Sequence, residues 1–333
     1  MEYIFRRFVD GNPGPSGPPR IGLVLSSGGA RGLAHIGAIQ VLEEARIPIA
    51  ALIGSSMGAY IGALWASGVD GKGLADLAAE IKDRRTLLRL LDPALPPVKG
   101  FLRGEKLRRH LQRTLANTKI EDLRRKMFIV ATNLDSVSDE VLPADMPVAA
   151  AVHASCAIPG ICAPVHLNGK RYIDGGAAQP LPVNLLKRLV QLDHVIAVNV
   201  MPTASDIDAR RLNSFPIPPD PPTTAMRKVW NGITNRVNLF AYGNVLDTFK
   251  RCLTSAQLRL ITEESACADV LVHPFFGESK WYDFENFNTY IEAGRHATEA
   301  ALPLIHALLT SNPSKSPAHE TVPFIPAVGC GTT

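Results

Sequence analysis

Gly54-Ser55-Ser56-Met57-Gly58 is a G-x-S-x-G stretch set between a short apolar run at 49–53 and the small, apolar residues of 57–66. The chain therefore reads as strand, sharp turn and helix at this point. A turn this tight needs small flanking residues, which Gly54 and Gly58 supply. It leaves the Ser56 hydroxyl exposed at a helix N-terminus, where backbone N–H groups favour negative charge. Ser56 is the candidate nucleophile. The same five-residue pattern also occurs in glycine-rich turns that only pack a helix on a sheet, so the surrounding sequence has to decide.

Outward from this turn, apolar and β-branched runs recur at 21–25, 50–53, 127–131, 171–173, 194–200 and 269–273. Helical patterns fill the intervals at 33–45, 57–66, 104–116, 182–192, 225–261 and 287–309. Continuous rather than alternating apolarity suits strands covered on both faces. The alternation predicts an α/β fold with a mostly parallel sheet between helices. With 333 residues, 46% of them hydrophobic, the chain has ample material for a substantial core. No internal repeat or domain boundary breaks it, so 21–310 reads as a single domain. Prolines cluster at 11–20, 202–224 and 312–326. These segments cannot bury enough apolar surface to order themselves, and they read as a flexible N-terminal arm (1–20), a long surface loop and a flexible C-terminal tail (311–333).

Composition removes several function classes. The net charge of +4 is too small to argue for nucleic acid, and the basic residues are mixed with acids rather than interleaved with aromatics. Five scattered cysteines (Cys156, Cys162, Cys252, Cys267, Cys330) form neither a disulfide framework nor a zinc pattern, which favours a reducing compartment. The first residues lack the apolar core of a signal peptide, and no apolar stretch is long enough to span a bilayer. A cytoplasmic location is expected. Arg84, Arg85 and Arg89 alternate with Leu87, Leu88, Leu90 and Leu91, followed by Lys106, Arg108, Arg109, Arg113 and Arg124-Arg125-Lys126. Solvated helix faces account for these runs. Contact with anionic lipid headgroups beside the leucines is the functional alternative, which would make the protein membrane-peripheral.

Two further stretches carry chemistry. The first strand runs into Ser26-Ser27-Gly28-Gly29-Ala30-Arg31-Gly32 and then an apolar helix, so several backbone N–H groups converge at a helix N-terminus and make an anion site. The glycines are out of register for a dinucleotide fingerprint, and the Gly-Lys-Ser/Thr of a P-loop is absent. An oxyanion hole is the reading that survives, with the amides around Gly28, Gly29 and Ala30 as donors. Arg31 reads as an ion pair bracing that loop. Asp174, in Tyr172-Ile173-Asp174-Gly175-Gly176, ends a predicted strand beside two glycines that let the backbone approach another element closely, and it is the candidate base for Ser56.

These three motifs, in this order and spacing, resemble the patatin-like phospholipases. The likeness includes Gly32-Leu33-Ala34-His35-Ile36-Gly37, Phe101, Arg103-Gly104, Ala131-Thr132-Asn133-Leu134, Ala154-Ser155-Cys156-Ala157-Ile158-Pro159-Gly160 and the Asn184 region. It runs from about residue 21 to residue 200, with weaker likeness through Ala293-Gly294. The resemblance implies a three-layer α/β/α sandwich of patatin type and a Ser-Asp dyad. Ser56 would attack an acyl ester with Asp174 as base, the amides near Gly28 and Gly29 would hold the negative charge, and water would release the acyl group. One departure stands out: Ser27 occupies a position where the family usually has glycine.

The expectation is a serine acyl hydrolase of lipid or other carboxylic esters, with neither metal nor organic cofactor and with oligomeric state left open. An ordinary hydrolase triad of Ser56, Asp174 and His273 fits the chain order and is the enzymatic alternative. A non-catalytic membrane-associated protein of the same fold and a nucleotide-binding protein using the Gly28-Gly29 loop are the alternatives from other classes. Residues 87–101 and the 225–261 helix are the expected source of acyl selectivity, with Leu87, Leu88, Leu90, Leu91 and Leu95 as a lid or interfacial patch.

Overall fold

The strand β1 (Ile21–Leu25) is buried at every residue, as its unbroken Ile-Gly-Leu-Val-Leu sequence requires of a strand covered on both faces. In the computed structural model, which describes residues 18–81, 92, 102–203, 205–206, 245–274 and 283–310, β1 lies at the centre of an eight-stranded sheet. Its partners are β2 (Ile49–Ser55) and β7 (His194–Val198), both parallel to it. β3 (Met127–Asn133) extends the parallel region beyond β2, and β8 (Val270–Val272) extends it beyond β7. The remaining strands are antiparallel: β4 (Ser138–Val141) and β6 (Lys170–Ile173) pair with β3, and β5 (Val165–Leu167) pairs with β6.

Successive side chains of a strand point to opposite faces, and the two faces here feed two apolar clusters. Leu23, Leu25, Leu52, Ile129, Ile196 and Val198 pack under α1 (Ala34–Glu44), α2 (Met57–Ser67), α3 (Gly71–Ile81), α4 (Glu105–Leu115), α5 (Val148–Ser155) and α8 (Phe287–Thr310). Val24, Ile53, Val130, Val195 and Ala197 pack on the other side against Leu185 and Leu186 of α6 (Val183–Leu189) and Ile261 of α7 (Val245–Ser265). The result is a three-layer α/β/α sandwich with a mostly parallel sheet.

On the larger face, α1 and α8 touch backbone to backbone. A Cβ at Gly37 would collide with the carbonyl oxygen of Ile291, and one at Gly294 would collide with that of Ala34. Arg295 adds a fork of hydrogen bonds to Glu44, each 2.8 Å long. Arg125, one of the basic run at 124–126, donates to the Trp65 carbonyl at 2.6 Å and stacks 4.3 Å over the Trp65 ring, so it serves packing.

The boundaries differ from the sequence expectations in informative ways. The expected helix from 33 starts at Ala34, preceded by a 3-10 turn at Gly29–Leu33. β2 runs on through Gly54 and Ser55, so the strand ends directly at Ser56. Two helices, α3 and α5, and two strands, β4 and β5, are additions to the sequence expectations: α3 carries Leu74, Leu77, Ala78 and Ile81 at helical spacing, whereas α5 is short and rich in alanine, and β4 is the half-exposed polar tetrad Ser-Asp-Glu-Val. Of the expected 225–261 helix, the described part is α7; residues 225–244 lie outside the described residues, as do the 84–91 basic and leucine-rich run, Leu95, Phe101, Cys330, residues 1–17 and residues 311–333. Among the described residues no helix is long and apolar enough to cross a membrane.

Candidate active site

The end of β2 and the start of α2 make the elbow that the glycines foreshadow. A Cβ at Gly54 would meet the backbone of Gly58 and Ala59, and one at Gly58 would collide with the carbonyl oxygen of Leu25 on β1. Strand, helix and central strand therefore approach as closely as backbones can. Ser56, at the apex, adopts φ 53° and ψ −119°, a conformation that non-glycine residues occupy only when their surroundings hold them there.

Asp174 is delivered from the other direction. β6 runs antiparallel to β3, with Ile173 opposite Thr132, and Asp174 follows where the strand ends. Its backbone N–H donates to the Ala157 carbonyl at 2.8 Å, and its carbonyl accepts from Thr132 Oγ1 at 2.8 Å. The carboxylate is left with two tasks. Oδ1 accepts from the Gly176 amide at 2.7 Å, and Oδ2 accepts from Ser56 Oγ at 2.6 Å. Both residues are only 6% exposed. Burial pushes the Asp174 carboxyl up to about 6, with the Ser56 hydroxyl and the Gly176 amide pulling the other way.

The loop after β1 packs beside this pair. Ser26 anchors it: its amide donates to Val198 O at 3.1 Å, its hydroxyl accepts from the Val200 amide at 2.9 Å, and its carbonyl is 2.9 Å from His35 Nε2. Ser27 donates its amide to Pro180 O at 2.9 Å. Gly28 is extended, Gly29 turns through φ 59°, and Gly32 lies against the side chain of Met57, the residue after Ser56. Ala30 is fully buried, and the Arg31 guanidinium acts electrostatically on Tyr290 of α8. His35 is fully buried, and desolvation lowers it to about 4 despite its bond to Ser26. It is therefore a neutral imidazole donating through Nε2.

His273 does not join the pair. Its Nδ1 donates to Asn199 O at 2.7 Å and its Nε2 donates to Asp206 Oδ2 at 2.8 Å. Both nitrogens are engaged away from Ser56, so the geometry supplies no Ser56/Asp174/His273 triad. His153, adjacent to the Ala154–Gly160 stretch, donates to Arg103 O at 3.2 Å and pins the entry to α4. Cys156 is a free thiol near Ser56 and Asp174 whose ionisation burial pushes far up, so it stays protonated. Among the described residues no group of three or more His, Cys, Asp or Glu could hold a metal ion.

Sequence reasoning missed the supports of the pair. Ser155 Oγ accepts the Ser56 amide at 2.9 Å and donates to Val130 O at 2.6 Å. Thr132 ties Asp174 to Ala178, whose amide donates to its hydroxyl at 3.2 Å. Glu264 of α7 accepts the Asn184 amide at 2.7 Å, which accounts for the Asn184 region. The motif residues around Ser155 and Thr132 were visible in the sequence, but their partners were not.

A strand-to-helix elbow, a serine bonded to a buried aspartate and a glycine-rich loop at a helix start thus meet in one place, as the resemblance to patatin-type α/β folds implies. The chain belongs to the patatin-like phospholipase family, whose model matches residues 23–187. An uncharacterised NTE family protein of Mycobacterium tuberculosis is 41% identical over 187 residues, covering 56% of this chain and 50% of the relative. A second such mycobacterial protein is 31% identical over 283 residues, 85% of this chain and 46% of the relative. Lysophospholipase NTE1 of Saccharomyces cerevisiae is 31% identical over 168 residues, 50% of this chain and 10% of its own length. The chain spans about half the length of the mycobacterial relatives it matches. Among solved structures, VipD from Legionella pneumophila is similar at TM-score 0.47 and 16% identity, over 88% of this chain and 68% of that one.

Proposed function

We propose that the protein hydrolyses carboxylic esters of lipids through an acyl-enzyme on Ser56, with Asp174 as its general base. The observation that carries this reading is the 2.6 Å bond from Ser56 Oγ to a buried Asp174 carboxylate whose pKa is raised to about 6. A base poised near neutrality is ionised at working pH yet basic enough to take a proton as the bond forms. Asp174 accepts the Ser56 proton as Oγ attacks the ester carbonyl. The amides of Gly28, Gly29 and Ala30, at the turn that opens α1, are the donors for the developing oxyanion, with Arg31 bracing the loop. Collapse of the tetrahedral adduct expels the alcohol, which takes the proton back from Asp174. Asp174 then deprotonates a water that attacks the acyl-Ser56 ester, and as the second adduct collapses Ser56 Oγ takes that proton back from Asp174 and the carboxylic acid leaves.

The neighbouring Cys156 does not compete, because its thiol stays protonated. Family membership and the name of the yeast relative favour a phospholipid carrying one acyl chain as substrate. Such a substrate is presented at a lipid surface, in keeping with a protein that meets membranes peripherally from the cytoplasmic side.

The test is hydrolysis of a short-chain p-nitrophenyl ester and of a lysophospholipid by the wild type, Ser56→Ala, Asp174→Asn and His273→Ala, with covalent labelling by a fluorophosphonate alongside. Loss of hydrolysis in the first two, with retention per folded molecule in the third, is the expected result. A folded wild type that neither turns over an ester nor labels would return the protein to the non-catalytic reading.

A further inference from the structure

We infer that Ser155 is a positioning residue for Ser56, a conclusion that rests on the acyl-hydrolase reading. Ser56 holds φ 53° and ψ −119°, and left to itself a non-glycine residue leaves that region. Its amide is tied at 2.9 Å to Ser155 Oγ, and that hydroxyl donates onward at 2.6 Å to the carbonyl of Val130 on β3. Ser155 is fully buried, so both bonds form without competition from solvent. The requirement is for one small side chain that accepts from an amide and donates to a carbonyl at once, and a hydroxyl does both.

Two residues further on, the Ala157 carbonyl accepts the Asp174 amide at 2.8 Å. The segment Ser155-Cys156-Ala157, at the end of α5, thus grips the backbones of both members of the pair. It holds one by a side chain and the other by its own main chain. Their separation is therefore set by a third element rather than by β2 and β6 alone. Engagement of the Ser56 amide also removes it from the donors open to an oxyanion, which leaves that work to the loop after β1. Without the Ser155 hydroxyl the elbow can relax, and Oγ drifts from Asp174 Oδ2.

The experiment compares wild type, Ser155→Ala and Ser155→Cys in the full chain. It reads the second-order rate of fluorophosphonate labelling, kcat and KM on the p-nitrophenyl ester, and the pH profile, each per folded molecule. Because misplacing a reacting atom by an ångström costs on the order of a hundredfold, Ser155→Ala is expected to lower labelling and kcat about ten- to a hundredfold. KM, which reports binding, stays as in the wild type, while the pH midpoint moves upward, because Asp174 loses the Ser56 hydrogen bond that pulls its carboxyl down. Ser155→Cys, near in size but a weaker acceptor, falls between them. A folded Ser155→Ala that labels at the wild-type rate, or that loses only KM, overturns the inference. If Ser155→Ala does not fold, Ser155→Cys decides in the same way: reduced kcat at constant KM supports positioning, and wild-type kcat refutes it. A wild type that does not label fails the acyl-hydrolase reading itself, and the inference falls with it.

Discussion

His35 reaches from inside α1 to the carbonyl of Ser26, 2.9 Å away, and so bonds the helix that follows the glycine loop to the residue that precedes it. The loop is closed into a small ring by one neutral imidazole. Replacing His35 by leucine leaves the buried Ser26 carbonyl with one donor fewer, and a loss of about 2–4 kcal/mol is expected in denaturant unfolding. The pH dependence has a definite sign. Because the folded pKa is lowered from 6.5 to about 4, the unfolded chain binds the proton first, so the His35 contribution to stability is lost as pH falls through that window. The leucine variant should lack this component of acid sensitivity.

Asp174 has the opposite dependence. Its folded pKa is raised from 3.8 to about 6, so its contribution is favourable below 3.8 and is lost as pH rises through 6. At pH 8 the carboxylate is a burden on the fold. Asp174→Asn is expected to abolish turnover while stabilising the protein by about 1–3 kcal/mol at pH 8 and not at pH 3.5, measured by denaturant unfolding. An Asn variant less stable than wild type at pH 8 would contradict this account.

On the proposed mechanism the same carboxyl governs the pH profile of turnover. kcat/KM on a neutral ester should rise with pH to half its maximum near 6 and then stay flat, with no second titration from His273. A midpoint displaced by His273→Ala would show that the imidazole takes part after all.

His273 and Asp206 form a stability pair of their own. Burial alone would lower His273, but the Asp206 carboxylate outweighs it and holds the imidazole above its usual value; Asp206 is also buried, yet His273 and Thr203 bring it down to about 2. The Asp206 contribution is present above 3.8 and is lost as pH falls through 2, while that of His273 is full below 6.5 and fades as pH rises through its raised value. His273→Ala leaves Asp206 without this partner and should cost about 1–3 kcal/mol near pH 6, read from thermal unfolding, with activity per folded molecule retained.

The central sheet and the serine–aspartate pair were legible because their signals are local. β1, β2 and β7 are unbroken apolar runs, and Gly54, Gly58, Gly175 and Gly176 mark backbones that must pass closely. Illegible were elements whose stability comes from their neighbours. α5 is an alanine-rich helix of eight residues whose value lies in Ser155 and in the carbonyl of Ala157 just beyond its end, and β4 is polar because only the ladder with β3 holds it. Ser155 could not be singled out, since its partners Ser56 and Val130 stand 99 and 25 residues away. His273 stayed open as the alternative for a related reason: its chain order suits a triad, but Asp206, which claims it, lies in a segment whose composition says only loop.

The contact of α1 with α8 joins residues 255 positions apart, as in the bond from Arg295 to Gln40. A chain emerging N-terminus first presents its glycine loop and the Ser56 elbow early, but the helix that roofs α1 emerges among the last described segments. Contacts of such long range close late and slow the overall search. The interval between synthesis of the elbow and arrival of α8 is therefore a period in which an apolar helix surface waits uncovered. Chaperone dependence and aggregation during expression should track the integrity of the Gly37 and Gly294 seam more closely than any feature of the Ser56–Asp174 pair.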